Sequence, residues 1–254
     1  GNPNDVRGKQ KIRLDVALVE LGLAESRQKA QGLIMAGEVH VKKKLVDKVG
    51  FQVAIDAEIE VVSRSQRFVS RGGEKLQFAL DSFAFDLIGR TAADIGSSTG
   101  GFTDCLLQNG VSKVYAIDVG HHQLSEKLRV DPRVISKEGI NARFITEETL
   151  PEKVGVMTMD LSFISVEKVL PALVPFLEDN ADLVILVKPQ FEVGRERIAR
   201  GGVVTNKDFR EEAAQGVVEF SQSIGLDKYG LVESPLPGQK KGNIEYLLWL
   251  KKKA

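Results

Sequence analysis

From Thr91 onward, short apolar runs alternate with apolar residues at helical spacing. This alternation limits the chain to a mostly parallel sheet with crossover helices. The runs place strands at 92–95, 113–118, 134–136, 154–160, 183–188, 228–234 and 244–251, with helices between them, notably 166–176 and 207–224. One junction in this series stands apart. In Asp94-Ile95-Gly96-Ser97-Ser98-Thr99-Gly100-Gly101-Phe102 a strand ends in an acid, turns through glycines and enters an apolar helical pattern. Glycine admits positive φ and a close approach of ligand to backbone, and the first N–H groups of the following helix are open to polar or anionic groups. Ligands of open α/β sheets bind beyond the carboxyl ends of the strands, so Asp94, Asp118, Asp160 and Lys188 are expected to gather on one edge with this rim.

Asp118 ends the apolar run Val114-Tyr115-Ala116-Ile117, about 20 residues past the glycines, the spacing at which an acid reaches a ribose diol. No lysine follows Gly100-Gly101, so the turn is not a phosphate loop, and it is only a loose relative of G-x-G-x-x-G. A ligand with a pyrophosphate therefore suits it less well than S-adenosylmethionine. The plain alternative is a strand-to-helix turn with no ligand. Asp160 and Lys188 each end a strongly apolar run. Strand ends meet water and tolerate charge, but two such residues at adjacent strand ends beside a nucleoside turn point to function. Lys75 and Glu245 complete a set of two acids and two lysines that the fold can bring together.

At 254 residues, one large domain or two unequal ones are both open. Lysine plus arginine total 35 and aspartate plus glutamate 35, so any basic surface must be local. Cys105 is the single cysteine; it excludes an internal disulfide and falls in a helical pattern as a core residue. No run reaches the length of a membrane span and no secretory signal opens the chain, so the expected location is the cytoplasm, with no membrane partner. Gly1 in place of methionine reads as a tag scar or a start inside the gene. His121-His122 lacks the neighbours that metal binding needs, so no metal site is expected. The arginines at 195, 197 and 200 mark a charged loop of the kind that closes over substrate.

Residues 1–11 read as loose. Leu14, Leu18 and Leu21 then share a helical face ended by Gly22, and Ser26 caps a second helix with Ala30, Leu33 and Ile34 inward, ended by Gly37. Short strands follow at 38–41 and 58–62. Arg27 and Lys29 on the second helix, with Lys42, Lys43 and Lys44 in the adjoining turn, form a local basic face suited to phosphates; a solvated loop is the plain alternative.

This segment resembles the S4 RNA-binding domain in Arg13-Leu14-Asp15, Ser26-Arg27-Gln28-Lys29-Ala30, Ile34-Met35-Ala36-Gly37-Glu38-Val39 and Val41-Lys42. The resemblance implies binding of structured RNA through the second helix and basic turn. The two acids and two lysines resemble the catalytic tetrad of the FtsJ-like ribose 2′-O-methyltransferases. The matching stretches are Ser70-Arg71-Gly72-Gly73-Glu74-Lys75-Leu76, the glycine turn, Asp160-Leu161-Ser162-Phe163-Ile164-Ser165, Val187-Lys188-Pro189-Gln190-Phe191-Glu192 and Gly242-Asn243-Ile244-Glu245. In order and spacing the whole resembles the TlyA (haemolysin A) family, an S4 domain joined to such a methyltransferase.

That resemblance implies an S4-like domain at 1–62, a linker at 63–69 and a Rossmann-like α/β methyltransferase domain at 70–254. It carries Lys75, Asp160, Lys188 and Glu245 over as the catalytic set. It carries Gly96, Ser97, Ser98, Thr99, Gly100, Gly101 and Asp118 over as the S-adenosylmethionine site, with Asn141 where such folds border the adenine. It further implies ribosomal RNA or ribosomal subunits as partner and cytidine as target. Lys188 is the candidate base. The competing readings are a membrane-active haemolysin and an inactive RNA-binding or assembly protein. The sequence leaves the subunit, the nucleotide and the oligomeric state open.

Overall fold

The computed structural model describes residues 10–62, 67–238 and 242–254. Expectations for residues 1–9 and for linker residues 63–66 lie outside these. The chain divides into two compact units, Gly1–Gln66 and Arg67–Ala254.

The first unit runs β1 (Lys11–Arg13), α1 (Leu14–Glu20), α2 (Arg27–Met35), β2 (Val39–Val41), β3 (Lys44–Leu45), β4 (Gln52–Ala54) and β5 (Ile59–Val61). Its core is Leu14, Ala17 and Leu18 of α1 against Ala30 and Ile34 of α2, with Val39, Val41 and Val53 from the strands. Ser26 caps α2 by accepting from the Lys29 N–H at 3.1 Å. Asp15 is fully buried in α1 and accepts from Arg13 Nε (3.0 Å), Arg27 Nε (2.9 Å), Gln31 Nε2 (2.9 Å) and the Val16 N–H (3.0 Å). Burial alone would raise this carboxyl, but the bonds from Arg13, Gln31 and Arg27 overcome it and hold it well below the usual range. The R-L-D and S-R stretches are therefore two sides of one clasp that closes on the buried Asp15 and joins α1 to α2.

In the second unit the elements are α3 (Gly72–Ser82), β6 (Thr91–Ile95), α4 (Gly101–Gln108), β7 (Lys113–Ile117), α5 (Glu126–Arg129), β8 (Val134–Lys137), β9 (Val154–Met159), α6 (Leu170–Leu173), β10 (Leu177–Val187), α7 (Lys207–Ser223), β11 (Leu226–Glu233) and β12 (Tyr246–Lys252). The sheet order is β11-β12-β10-β9-β6-β7-β8. Pairings between β10, β9, β6, β7 and β8 are parallel, while β12 is antiparallel to both β10 and β11. Strands covered on both faces read as unbroken apolar runs, and β9, Val-Gly-Val-Met-Thr-Met, is buried throughout. One face packs Leu76, Phe102, Cys105, Leu106 and Leu128 of α3, α4 and α5. The other packs Leu170, Leu173, Ala214, Val217 and Val218 of α6 and α7.

Three expectations are refined by this structure. The helix expected at 166–176 is broken into a 3-10 turn, the short α6 and a second 3-10 turn, because Pro171 and Pro175 lack the N–H a continuous helix needs. The strand expected at 183–188 begins at Leu177 and crosses an irregularity before Asp182. Phe68, inside the stretch expected as linker, is buried in the core of the second unit.

Asp94 lies beneath the expected rim. It is fully buried and accepts from Thr103 Oγ1 at 2.7 Å and Thr158 Oγ1 at 3.1 Å, so it ties β6 to α4 and β9. Burial pushes its carboxyl up to about 7, only partly offset by the two threonine bonds. An acid whose folded value lies above its unfolded value of about 3.9 holds more protons folded than unfolded. Its contribution to stability is full below pH ~4 and is lost as pH rises toward 7. Urea midpoints should fall over that interval by more for the unaltered protein than for Asp94→Asn; parallel curves would contradict the assignment.

Candidate active site

The chain leaves β6 toward β7 on one side and later enters β9 on the other, so the order reverses between β6 and β9. Ligands of open α/β sheets bind at such a reversal, outside the carboxyl ends. The glycine turn follows β6 and Asp160 follows β9. Gly96 has φ 80°, and a Cβ there would stand 2.1 Å from the Asp160 carbonyl oxygen, so only glycine lets the two strand ends close on each other. At Gly101, the first residue of α4, a Cβ would lie 2.1 Å from Ser70 Oγ and 2.8 Å from the Gly73 N, so the starts of α3 and α4 pack backbone to backbone. The result is a tight turn of small residues, Gly96, Ser97, Ser98, Thr99, Gly100 and Gly101, at a helix N-terminus, with Ser98 and Thr99 exposed and Ser97, Gly100 and Gly101 buried.

Asp118 joins that rim. Its Oδ1 accepts from the Ser98 N–H at 3.0 Å and its Oδ2 from the Gly120 N–H at 2.9 Å. Each carboxylate oxygen has a second lone pair, so capacity for a diol remains. Asn141 is exposed, and its side chain caps a 3-10 turn by accepting from the Arg143 N–H at 3.1 Å. The Ile140 N–H donates to the Asp118 carbonyl, which brings Asn141 to the same edge.

The four charged residues form two ion pairs. Lys188 Nζ lies 2.6 Å from Asp160 Oδ1 and 3.1 Å from Ser162 Oγ. Lys75, in the first turn of α3, places Nζ 3.0 Å from Oε1 of Glu245, which stands just before β12. Lys75 and Glu245 are 7% and 2% exposed, whereas the Asp160 side chain is 30% exposed, so the Lys75–Glu245 pair is sealed and the Lys188–Asp160 pair is partly open to solvent. Gln190 links them: two residues after Lys188, it donates from Nε2 to Glu245 Oε2 at 3.3 Å. Because β12 runs antiparallel to β10, with Tyr246 opposite Val187, Glu245 arrives beside Lys188.

Ser162, Phe163, Gln190, Glu192 and Asn243 have contacts that no pattern in the sequence revealed, although they sit inside the quoted stretches. Phe163 is 79% exposed at φ 66°, a strained position for a bulky residue, with its ring 5.2 Å from that of Phe191. Asn243 is buried, accepts from the Val204 N–H at 3.1 Å and donates to the Gly202 carbonyl at 2.9 Å.

In the first unit, Arg27 shares its Nε with Asp15 yet its side chain is 54% exposed, leaving its outer nitrogens accessible. Lys29 pairs with Glu25 at the surface. Lys42 and Lys43 form the two-residue tip between β2 and β3, with φ 49° and 65°, a turn that usually carries Asn-Gly. Lys44 opens β3 and is exposed.

A mostly parallel sheet whose strand order reverses beside a glycine turn and two lysine–acid pairs is the framework of an α/β enzyme. Comparison with known families names it further. The chain belongs to the FtsJ-like methyltransferases, whose family profile matches residues 68–252, and carries an S4 domain matched over residues 12–59. It is 45% identical over 243 residues to the 16S/23S rRNA (cytidine-2′-O)-methyltransferase TlyA of Mycobacterium tuberculosis, covering 95% of this chain and 90% of that one. It is 41% identical to Hemolysin A of Brachyspira hyodysenteriae, covering 93% and 98%. A solved Streptococcus thermophilus protein carrying the hemolysin name superposes with a TM-score of 0.73 at 40% identity, covering 97% and 90%.

Proposed function

We propose that the chain moves a methyl group from S-adenosylmethionine to a ribose 2′-hydroxyl of ribosomal RNA, with cytidine as target. The observation that carries this reading is the meeting of the Lys188–Asp160 and Lys75–Glu245 pairs beside the glycine rim. The exposed Ser98 and Thr99, on the turn that leads into the α4 N-terminus, fit a ligand lying close to the backbone. Gly96, Ser97, Ser98, Thr99, Gly100 and Gly101 would hold the cofactor, with Asp118 on its ribose and Asn141 near its adenine. Bound there, S-adenosylmethionine supplies an electrophilic methyl group. Lys188, once neutral, then takes the 2′-hydroxyl proton at Nζ as the oxygen gains the methyl group and the thioether departs, or, if it stays charged throughout, orients the hydroxyl and stabilises charge developing on its oxygen. Asp160 and Ser162 fix the amine for either task. The exposed Phe163 ring offers a face for an unstacked base.

Asp118→Ala should weaken S-adenosylmethionine binding by about tenfold or more, since hydrogen bonds to charged groups contribute roughly 1.5–3 kcal/mol. The same change frees the Ser98 N–H, which Asp118 holds against the rim. Calorimetry showing unchanged affinity removes Asp118 from the site.

The S4 unit supplies RNA affinity through Arg27, Lys29, Lys42, Lys43 and Lys44. Contacts to phosphates add affinity and salt dependence, not base choice. A chain starting at Arg67 should keep its cofactor affinity but bind ribosomal subunits more weakly, with a flatter dependence on salt. Methylation of subunits by that shortened chain at the full-length rate and affinity would contradict this role. The hemolysin name is carried by some of the similar proteins, and among the described residues no helix is long and apolar enough to cross a membrane. Release of dye from liposomes at low protein concentration would support a membrane activity instead.

A further inference from the structure

The Lys188–Asp160 pair is held at one end by its own charges and at the other by a contact that involves neither residue. After Lys188 the chain makes a 3-10 turn, Pro189–Phe191, and reaches Glu192. The Glu192 carboxylate turns back toward the segment that follows β9: Oε2 accepts from Ser165 Oγ at 2.5 Å and Oε1 accepts from the Val166 N–H at 2.9 Å. That segment starts at Asp160 and includes Ser162, the two residues that hold Lys188 Nζ. Residues 160–165 and 188–192 are thus joined at both ends, through the ion pair at the strand ends and through Glu192 farther out.

Glu192 thus accepts from a hydroxyl and an amide. Burial pushes its carboxyl up, and the charge of Glu167 adds to this, against the two bonds it accepts. A half-buried carboxylate held by a hydroxyl and an amide is a costly way to stabilise a loop. It is an effective way to fix one, because two bonds from adjacent residues define both the distance and the direction of the joined segments. Misplacement of a reacting group by about 1 Å can cost 10²-fold in rate.

We propose that Glu192 is a positioning residue for methyl transfer, a brace that sets the Lys188 loop against the Asp160 loop and so places Nζ for the incoming hydroxyl. The proposal rests on the methyltransferase reading of this site. It adds to the four paired residues a fifth that acts through them without touching the reacting atoms.

The test uses the full chain, ribosomal subunits and S-adenosylmethionine, with both ligands saturating and a single turnover followed. Glu192→Ala should lower the rate tenfold or more while the affinities for cofactor and subunit stay within about twofold. Glu192→Gln should stay within about threefold of the unaltered protein. Its carboxamide oxygen still accepts from the Val166 N–H, and the Ser165 hydroxyl rotates to accept from the amide. Ser165→Ala should lower the rate by part of the Glu192→Ala loss and add little to it in the double variant, because the two residues share one contact.

A folded Glu192→Ala protein with an unchanged rate overturns the brace, as does a loss confined to affinity, or a double variant whose losses multiply. If Glu192→Ala fails to fold by circular dichroism, Ser165→Ala decides, and an unimpaired rate overturns the proposal. Absence of transfer by the unaltered protein overturns the methyltransferase reading itself. Transfer by the unaltered protein together with an unimpaired Glu192→Ala overturns the brace alone.

Discussion

Replacing Lys188 with arginine should collapse single-turnover methylation by about 10² to 10⁴, the usual cost of losing a general base, while S-adenosylmethionine and RNA still bind. Arginine keeps the positive charge beside Asp160 but cannot give up a proton at accessible pH. The lysine amine is held by two oxygens, Asp160 Oδ1 at 2.6 Å and Ser162 Oγ at 3.1 Å, at a strand end that opens toward the glycine rim. Arginine also differs in shape, so the pH profile must agree: the unaltered protein should speed up with pH until the lysine is neutral. A flat profile, with an arginine variant that keeps most of the rate, excludes the base role. Lys188 then serves as an electrostatic anchor for the hydroxyl.

The second large effect is expected at the sealed pair. Glu245→Ala leaves the Lys75 ammonium, 7% exposed, without its carboxylate at 3.0 Å. Breaking one side of a buried pair costs about 3–5 kcal/mol, mostly from the charge left behind. Urea midpoints should show that loss for Glu245→Ala and for Lys75→Met alike, along with loss of methyl transfer. Replacing both, as Lys75→Met with Glu245→Leu, removes the orphan charge and should recover much of the stability but none of the activity. A double variant as unstable as the singles would show that the pair holds the fold by more than its charges. Recovered activity would remove it from the chemistry.

The parts of this molecule that were legible in its sequence are those where burial writes a simple pattern. Strands covered on both faces leave apolar runs, so Leu183-Val184-Ile185-Leu186-Val187 and Val156-Met157-Thr158-Met159 stand out, and a charge ending such a run marks the ligand edge. The glycine turn is legible because a close approach of backbones excludes a Cβ at Gly96.

What the sequence hides is the direction of side chains and contacts made across distance in the chain. Asp94 ends the same kind of run as Asp118, yet it turns inward to two threonines while Asp118 meets the rim. The start of β10 carries Glu178-Asp179-Asn180, which reads as a loop, and it becomes strand because Leu177 pairs beside Val154. Asp15 looks like an ordinary helical acid and is the hub of the first unit. Glu192 meets Ser165 across 27 positions, a separation at which no periodicity signals contact.

Transfer of a methyl group to a ribose 2′-hydroxyl of ribosomal RNA leaves its mark on the RNA chain itself. The most direct measurement supplies S-adenosylmethionine with a labelled methyl group to isolated small and large ribosomal subunits and hydrolyses the RNA in alkali. A methylated 2′-oxygen cannot attack its neighbouring phosphate, so the label should appear in alkali-resistant dinucleotides that begin with cytidine. It should be absent when Lys188→Arg replaces the unaltered protein. Label released in mononucleotides, which signifies methylation of a base, or no label in RNA from either subunit, would contradict the account.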